Sequence, residues 1–272
     1  MRPEEWERVL IPATGRVWRS LSPVSRRADR GRSIGVGAAG DRTLFADKLA
    51  EDELLKVLGR AGGVRVLSEE AGLVGEGDAK TMAVVDPLDG SSNFSRGVPF
   101  YCTAIAIVEG EGAEGIMAGV VRDLVTGEVY SASKGHGAKK NGRPIRTSGT
   151  KKLADAVVGV DLSKGGLRMV QRLAPLLAGV KRHLHFGANA LELCYTAEGK
   201  TDAFVDIRGR IRITDLAAAY LIASEAGAVI TGPEGGEVAP TFDLSHRLSF
   251  VASSNPDLHK QILEVISEPG GG

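Results

Sequence analysis

The octapeptide Asp86-Pro87-Leu88-Asp89-Gly90-Ser91-Ser92-Asn93 carries two carboxylates three residues apart. It follows the apolar run Met82-Ala83-Val84-Val85, which reads as a short buried strand. Carboxylates in a Pro/Gly turn at a strand end are poised to face one hollow, and oxygen ligands of that kind hold hard cations such as Mg²⁺. Gly90, Ser91 and Ser92 add flexible backbone N–H groups and hydroxyls, and N–H groups clustered at a helix start hold a phosphate. Asp-Pro and Asp-Gly are also ordinary turn dipeptides. The octapeptide therefore gains meaning only from acids elsewhere that join it.

Three further stretches offer such acids. Asp47 and Glu51 are four apart in a segment, Thr43 to Ala61, whose leucines recur at helical spacing, so they share a helix face. Glu69-Glu70 ends the strand-like run Val64-Arg65-Val66-Leu67; alone, the pair reads as a solvated turn. Asp215 follows Thr214 at the head of an Ala-rich helix, where a cap is the plain alternative. Glu69, Asp86, Asp89 and Asp215 all fall at chain ends of a layered sheet structure, where sites form. Four such acids meeting unpaired repel one another and require cations. Two ions about 3.5–4 Å apart clamp the attacking and leaving oxygens of an in-line displacement. Asp47 is placed to take a proton from, or orient, a hydroxyl such as that of Ser91.

The elements that must position these residues change character along the chain. Residues 4–30 read as helical, interrupted near Pro12 and Pro23. The glycine-rich Gly31 to Gly40 reads as neither helix nor strand but as a mobile loop, either a plain linker or a loop that closes over a site. Tyr101–Val108, Gly115–Val121 and Glu128–Ala132 read as an antiparallel meander. Beyond about residue 150, strands and helices alternate, as in an α/β layer arrangement. The expected fold class is therefore α/β, with an α+β half at 1–150 carrying most of the acids and the loop. An α/β half at 151–272 carries Asp215. The tail at 269–272 reads as frayed. His183 and His185 alternate on a strand and read as partly buried structural residues.

The 272 residues balance 34 Lys+Arg against 34 Asp+Glu, which gives no general reason to expect nucleic acid or an anionic membrane as partner. The only cysteines, Cys102 and Cys194, lie in apolar stretches and read as two buried free thiols. The first residues carry acids and no apolar core, unlike a signal peptide. The apolar stretch from Leu216 to Ile230 is too short to span a bilayer. The expected location is cytoplasmic.

The ordered set of motifs resembles the inositol monophosphatase/fructose-1,6-bisphosphatase superfamily. The pieces are Glu69-Glu70, Asp86 through Asn93, Gly135-His136-Gly137-Ala138 with Asn141-Gly142, Gly187 through Tyr195, Thr214-Asp215-Leu216-Ala217-Ala218 and Glu225-Ala226-Gly227. The resemblance implies a layered α-β-α-β-α sandwich, usually dimeric, acting on a small phosphate ester. It implies Glu69, Asp86, Asp89, Asp215 and the Leu88 carbonyl as ligands of two to three Mg²⁺ ions, with Mn²⁺ a possible substitute. Asp47 and Ser91, together with Glu69, match the groups that activate the attacking water. Gly90, Ser91 and Ser92 match the phosphate cradle, and the glycine-rich stretch matches a loop that brings in a further metal.

Within the superfamily, Ser91-Ser92 is similar to fructose bisphosphatases, and the glycine-rich Gly35 to Thr43 and the run Asp206-Ile207-Arg208-Gly209-Arg210-Ile211-Arg212 look like archaeal members accepting both fructose 1,6-bisphosphate and inositol 1-phosphate. Arg208, Arg210 and Arg212 alternate, so on an extended segment they line one face and bind a second phosphate; a charged edge strand is the alternative. Leu44 departs from the lysine common near this position in dual-type relatives. Two other readings stand beside this one: a phosphatase of 3′-phosphoadenosine 5′-phosphate or NADP, and a non-catalytic sugar-phosphate or metal sensor.

Overall fold

The computed structural model describes residues 1–75 and 79–267; the tail at 269–272 lies outside them. Helix α1 (Pro3–Ser25) opens the chain and buries Leu10, Ala13, Val17, Leu21 and Val24 at spacings of three and four. It runs unbroken through Pro12 and Pro23, against the expected interruptions. Both prolines are exposed, as are Arg8 and Arg19, whose carbonyls they leave unpaired, so water can satisfy those groups while the opposite face stays packed.

The glycine-rich stretch also departs from expectation. It folds into an antiparallel ribbon of β1 (Ser33–Val36) and β2 (Arg42–Leu44). A two-stranded ribbon is marginal alone. This one is docked, with the N–H groups of Ala38 and Ala39 donating to the carbonyls of Glu70 (2.8 Å) and Glu69 (3.1 Å). Helix α2 (Phe45–Ala61) follows, then β3 (Val64–Ser68), β4 (Gly72–Val74), β5 (Thr81–Asp89) and the short α3 (Ser91–Arg96). The expected meander appears as β6 (Cys102–Glu109), β7 (Ile116–Asp123) and β8 (Val129–Ser133), extended by β9 (Ala138–Lys140) and β10 (Arg143–Pro144). These strands form an eight-stranded sheet in the order β10-β9-β8-β7-β6-β5-β3-β4, with β3 and β5 parallel.

The alternation of strands and helices after residue 150 is also present. It comprises β11 (Val157–Val160), α4 (Gly166–Gly179), β12 (Arg182–Leu184), α5 (Asn189–Ala197), β13 (Ala203–Ile211), α6 (Ile213–Glu225), β14 (Val229–Thr231), β15 (Leu248–Ser253) and α7 (Pro256–Ser267). Their strands make a second sheet, β12-β11-β13-β15-β14. His183 and His185 are both exposed rather than partly buried, because β12 is the edge of that sheet.

The layers follow from which strand face each side chain takes. Along β5 and β6, Ala83, Val85, Ile105 and Ile107 join α1 and α2 in one apolar core. The alternate residues Val84, Cys102, Ala104 and Ala106 join α5, α6 and the inner face of the second sheet, including Phe204, Phe250 and Ala252. Helices α4 and α7 cover that sheet's outer face through Leu173, Leu176, Leu258 and Ile262. The result is the expected α-β-α-β-α sandwich. Residues from both sides of position 150 share the central core, so α6 lies between the two sheets and is apolar almost all round. Cys102 and Cys194 are buried free thiols there. Among the described residues, no helix is long and apolar enough to cross a membrane.

Candidate active site

Residues three apart on a regular strand face opposite sides, which would separate Asp86 from Asp89. The pairing between β5 and β6 prevents this. Asp86 lies opposite Ala104 and Asp89 opposite Cys102, so β5 carries one extra residue in between. This bulge turns both carboxylates toward one side. Pro87, which has no N–H to give to the ladder, sits in it, and the N–H of Leu88 donates to Asp86 Oδ1 at 3.0 Å. Asp89 thus ends the strand rather than lying in a free turn as its dipeptide suggested. Its Oδ2 accepts the Ala190 N–H at 2.8 Å and the Cys102 thiol at 3.6 Å.

The other acids arrive by topology. Because β3 runs parallel to β5 with Ser68 opposite Val85, the next residue, Glu69, emerges beside Asp86. Asp215 occupies the first turn of α6, where its Oδ2 accepts the Arg212 N–H at 3.4 Å. One carboxylate oxygen from each of Glu69, Asp86 and Asp215 lies within 4.8 Å of the others. Asp47 has the same position at the head of α2 and accepts the Leu44 N–H at 2.6 Å. Asp47 and Asp215 therefore serve as helix caps and face the site as well. Leu44 is buried against α1 and α2, so it offers no side chain to a substrate.

The crowding is visible in proton affinity. Burial pushes Asp86 well above the usual carboxylate range, with Glu69, Asp89 and Asp215 adding to it. Glu69 is raised by burial and by Asp215, with Arg212 opposing, and Asp215 is raised by burial against the same arginine. Asp89 is pushed up to about 8 by burial and Asp215. Asp47 is pushed up to about 7, chiefly by burial, with Glu70 and Glu51 adding to it. A set of carboxylate oxygen donors suits a hard divalent ion, so the cluster fits a metal.

Stripped of divalent cations, these groups bind protons more tightly folded than unfolded. Their contribution to stability is then present below about pH 4 and lost as the pH rises through about 7–8. Thermal melts of the chelated protein should show a Tm that falls between about pH 5 and pH 8, with Mg²⁺ restoring more at the higher pH. A chelated Tm that is flat or rising across that window contradicts this picture of the cluster.

Beside the acids, Gly90 takes a φ of 84° and opens α3. A Cβ there would lie 3.0 Å from both the Ala188 Cβ and the Phe100 carbonyl oxygen, so only glycine fits. Ser91 and Ser92 begin the helix with N–H groups that have no partner further back in it. Asn93 ties this turn to the segment before α5, donating to the carbonyls of Phe100 (2.8 Å) and Phe186 (2.6 Å). Asp47, Glu69, Asp86, Leu88, Asp89, Gly90, Ser91, Ser92 and Asp215 all line one cavity of about 340 Å³.

A second hollow of about 530 Å³ shares Asp41, Lys164, Arg212 and Asp215 with it and adds Asp161, Asn189, Arg208, Arg210 and Arg247. The three alternating arginines meet different fates there. Arg208 is bound by Asp206 and Asp161 at 2.5 and 2.6 Å, and Arg212 by Glu69 and Asp41. Arg210 is exposed and forms no ion pair among the described residues. Arg212 has left the strand and caps α6. The expected common face of three free guanidinium groups is therefore reduced to Arg210. Lys164, Arg247 and Asp41 escaped the sequence reading. Lys164 left one trace: it precedes Gly165-Gly166 in a tight connection and takes a φ of 59°.

The sequence model of the inositol monophosphatase family matches residues 10–269. The chain belongs to this family. It is 37% identical to the fructose-1,6-bisphosphatase/inositol-1-monophosphatase of Methanothermobacter thermautotrophicus, over 96% of each chain. Its fold matches a crystal structure of an inositol monophosphatase-fructose 1,6 bisphosphatase with a TM-score of 0.86 and 31% identity, over 96% of this chain and 99% of that one. It is also 30% identical, over 91% of its length, to a bifunctional NADP phosphatase/NAD kinase of Methanococcus maripaludis, of which it spans 46%. The inositol monophosphatase family is metal-dependent, in keeping with an acidic cluster able to hold an ion.

Proposed function

We propose that the chain is a Mg²⁺-dependent phosphomonoesterase that hydrolyses fructose 1,6-bisphosphate and inositol 1-phosphate. The observation that carries this reading is the convergence of Glu69, Asp86 and Asp215 within 4.8 Å, in a cavity shared with Gly90–Ser92. Glu69, Asp86, Asp89, Asp215 and the Leu88 carbonyl would hold two to three ions, and Mn²⁺ is expected to substitute. When bound, the ions supply Lewis-acid polarisation of the phosphoryl oxygens and an acidified water.

The chain's own groups do the rest in this reading. Ser91 orients the attacking water by its hydroxyl. Asp47, buried in the same cavity, takes up the water's proton at its carboxylate. The N–H groups around Gly90–Ser92 stay aimed at the oxygens on which charge builds, because Gly90 and Asn93 fix that turn. Arg210, Lys164 and Arg247 in the adjoining hollow attract the second phosphate of a bisphosphate, while Arg208 and Arg212 are engaged by carboxylates. Residues 1–150 thus act as the unit supplying most ligands, and 151–272 as the unit supplying Asp215 and the phosphate-binding side chains. A cytoplasmic homodimer acting on a small phosphate ester completes the proposal, supported by the family alone.

The similarity to the bifunctional NADP phosphatase/NAD kinase favours a second reading, a nucleotide phosphate. An adenine would want a stacking surface, and no aromatic side chain lines either hollow among the described residues. Phosphate release with Mg²⁺ across fructose 1,6-bisphosphate, inositol 1-phosphate, 3′-phosphoadenosine 5′-phosphate and NADP separates the two. The sugar and inositol esters should lead; faster turnover of a nucleotide would overturn the proposal. Arg210→Ala should raise KM for the bisphosphate about tenfold, one charge-assisted contact, and leave inositol 1-phosphate little changed.

A further inference from the structure

We propose that Arg212 is the resident cation of the metal site. Its guanidinium joins Glu69 to the β1–β2 ribbon, and a divalent ion taking Glu69 competes with it. The inference rests on the reading of Glu69, Asp86 and Asp215 as a cation site.

Three contacts define the arrangement. Arg212 Nη1 donates to Glu69 Oε1 at 2.7 Å, and Nη2 donates to the Asp41 carboxylate and to the Ala39 carbonyl at 3.3 Å. The side chain is 15% exposed, and its Nε has no hydrogen-bond partner. One residue therefore touches an acid of the cluster and the tip of the ribbon together. The ribbon is otherwise held there by two backbone bonds, from Ala38 and Ala39 to Glu70 and Glu69, and by the Thr43 hydroxyl, which donates to the Glu70 carboxylate. Gly37 lies against the Glu70 carboxylate, where a Cβ would require that side chain to shift.

A guanidinium stays charged throughout the physiological range. An ion at Glu69 competes with it for the same carboxylate and is repelled by its charge. The two cations therefore oppose each other at Glu69, and the coupling is reciprocal. Removing the arginine favours the ion, and the ion weakens the arginine's hold on the ribbon. The outcome is unusual for a charged residue in a metal site: its loss tightens metal binding.

The test measures Mn²⁺ binding by calorimetry and amide exchange by mass spectrometry on the full chain. Arg212→Gln should lower the Mn²⁺ Kd at least about fivefold, the lower end of ordinary site-to-site coupling. It should also speed exchange of amides 33–44 in the chelated protein while β5 and β6 stay protected. Arg212→Lys keeps the charge and loses the fork, so it should free the ribbon while leaving the Kd within about twofold. Asp41→Asn, at an exposed position, should free the ribbon without tightening Mn²⁺, and it decides the ribbon half if Arg212→Gln does not fold. Unchanged or weaker Mn²⁺ binding by a folded Arg212→Gln protein overturns the competition, and an unchanged ribbon in Asp41→Asn overturns the tie. No Mn²⁺ binding by the unaltered chain refutes the metal reading itself.

Discussion

Asp86→Asn should lower Mg²⁺-dependent phosphate release at least about 100-fold, because even groups one step removed from a metal change affinity or activity by 10–100-fold. The same substitution should raise the Tm of the chelated protein. Asp86 is 1% exposed and stands among three other acids that each raise its proton affinity. An amide has the same shape and no charge, so it relieves repulsion while removing an oxygen donor. Loss of activity with gain of apo stability marks a site built against the stability of its own fold. The check is paired kinetics and melting on one preparation. Retained Mg²⁺-dependent release removes Asp86 from the metal site, and a lower chelated Tm removes the repulsion.

Gly119→Ala should cost about 2–4 kcal/mol, at the severe end for one methyl group, because backbone rather than side chain stands in the way. An added Cβ at Gly119 lies 2.7 Å from the Ala218 carbonyl oxygen and 3.1 Å from its Cα. Helix α6 cannot retreat, since the second sheet packs on its other side. A shifted α6 carries Asp215 with it, so activity should fall even where the protein remains folded. Denaturant unfolding gives the first effect, and Mg²⁺-dependent phosphate release by the folded variant the second. A stability change under about 0.5 kcal/mol, the usual range at a surface position, contradicts this packing.

The sequence was legible where one physical rule governs. Period-two alternation located the meander, and the shift to alternating strands and helices located the second layer. The acids were recognisable as a set through their order along the chain. How Asp86 and Asp89 come to face together was hidden, since strand periodicity alone would part them. The bulge that unites them depends on pairing with Cys102 and Ala104.

The remaining misreadings share that origin in tertiary context. Pro12 and Pro23 looked like breaks because solvent exposure of Arg8 and Arg19 cannot be read from composition. The glycines before Asp41 looked incompatible with a strand, yet docking on Glu69 and Glu70 holds a ribbon. Arg208 and Arg210 look equivalent in the sequence, yet Asp161, which follows β11 far earlier in the chain, binds only Arg208. Charge alternation shows where side chains point, and only the fold shows which are already paired.

Phosphate release from fructose 1,6-bisphosphate and inositol 1-phosphate, measured first in chelator and then on addition of Mg²⁺, puts the metal site to its sharpest test. The cluster of Glu69, Asp86 and Asp215 predicts negligible release in chelator and turnover of both esters once the ion is restored. Release that persists in chelator, or none from either ester at saturating Mg²⁺, contradicts it.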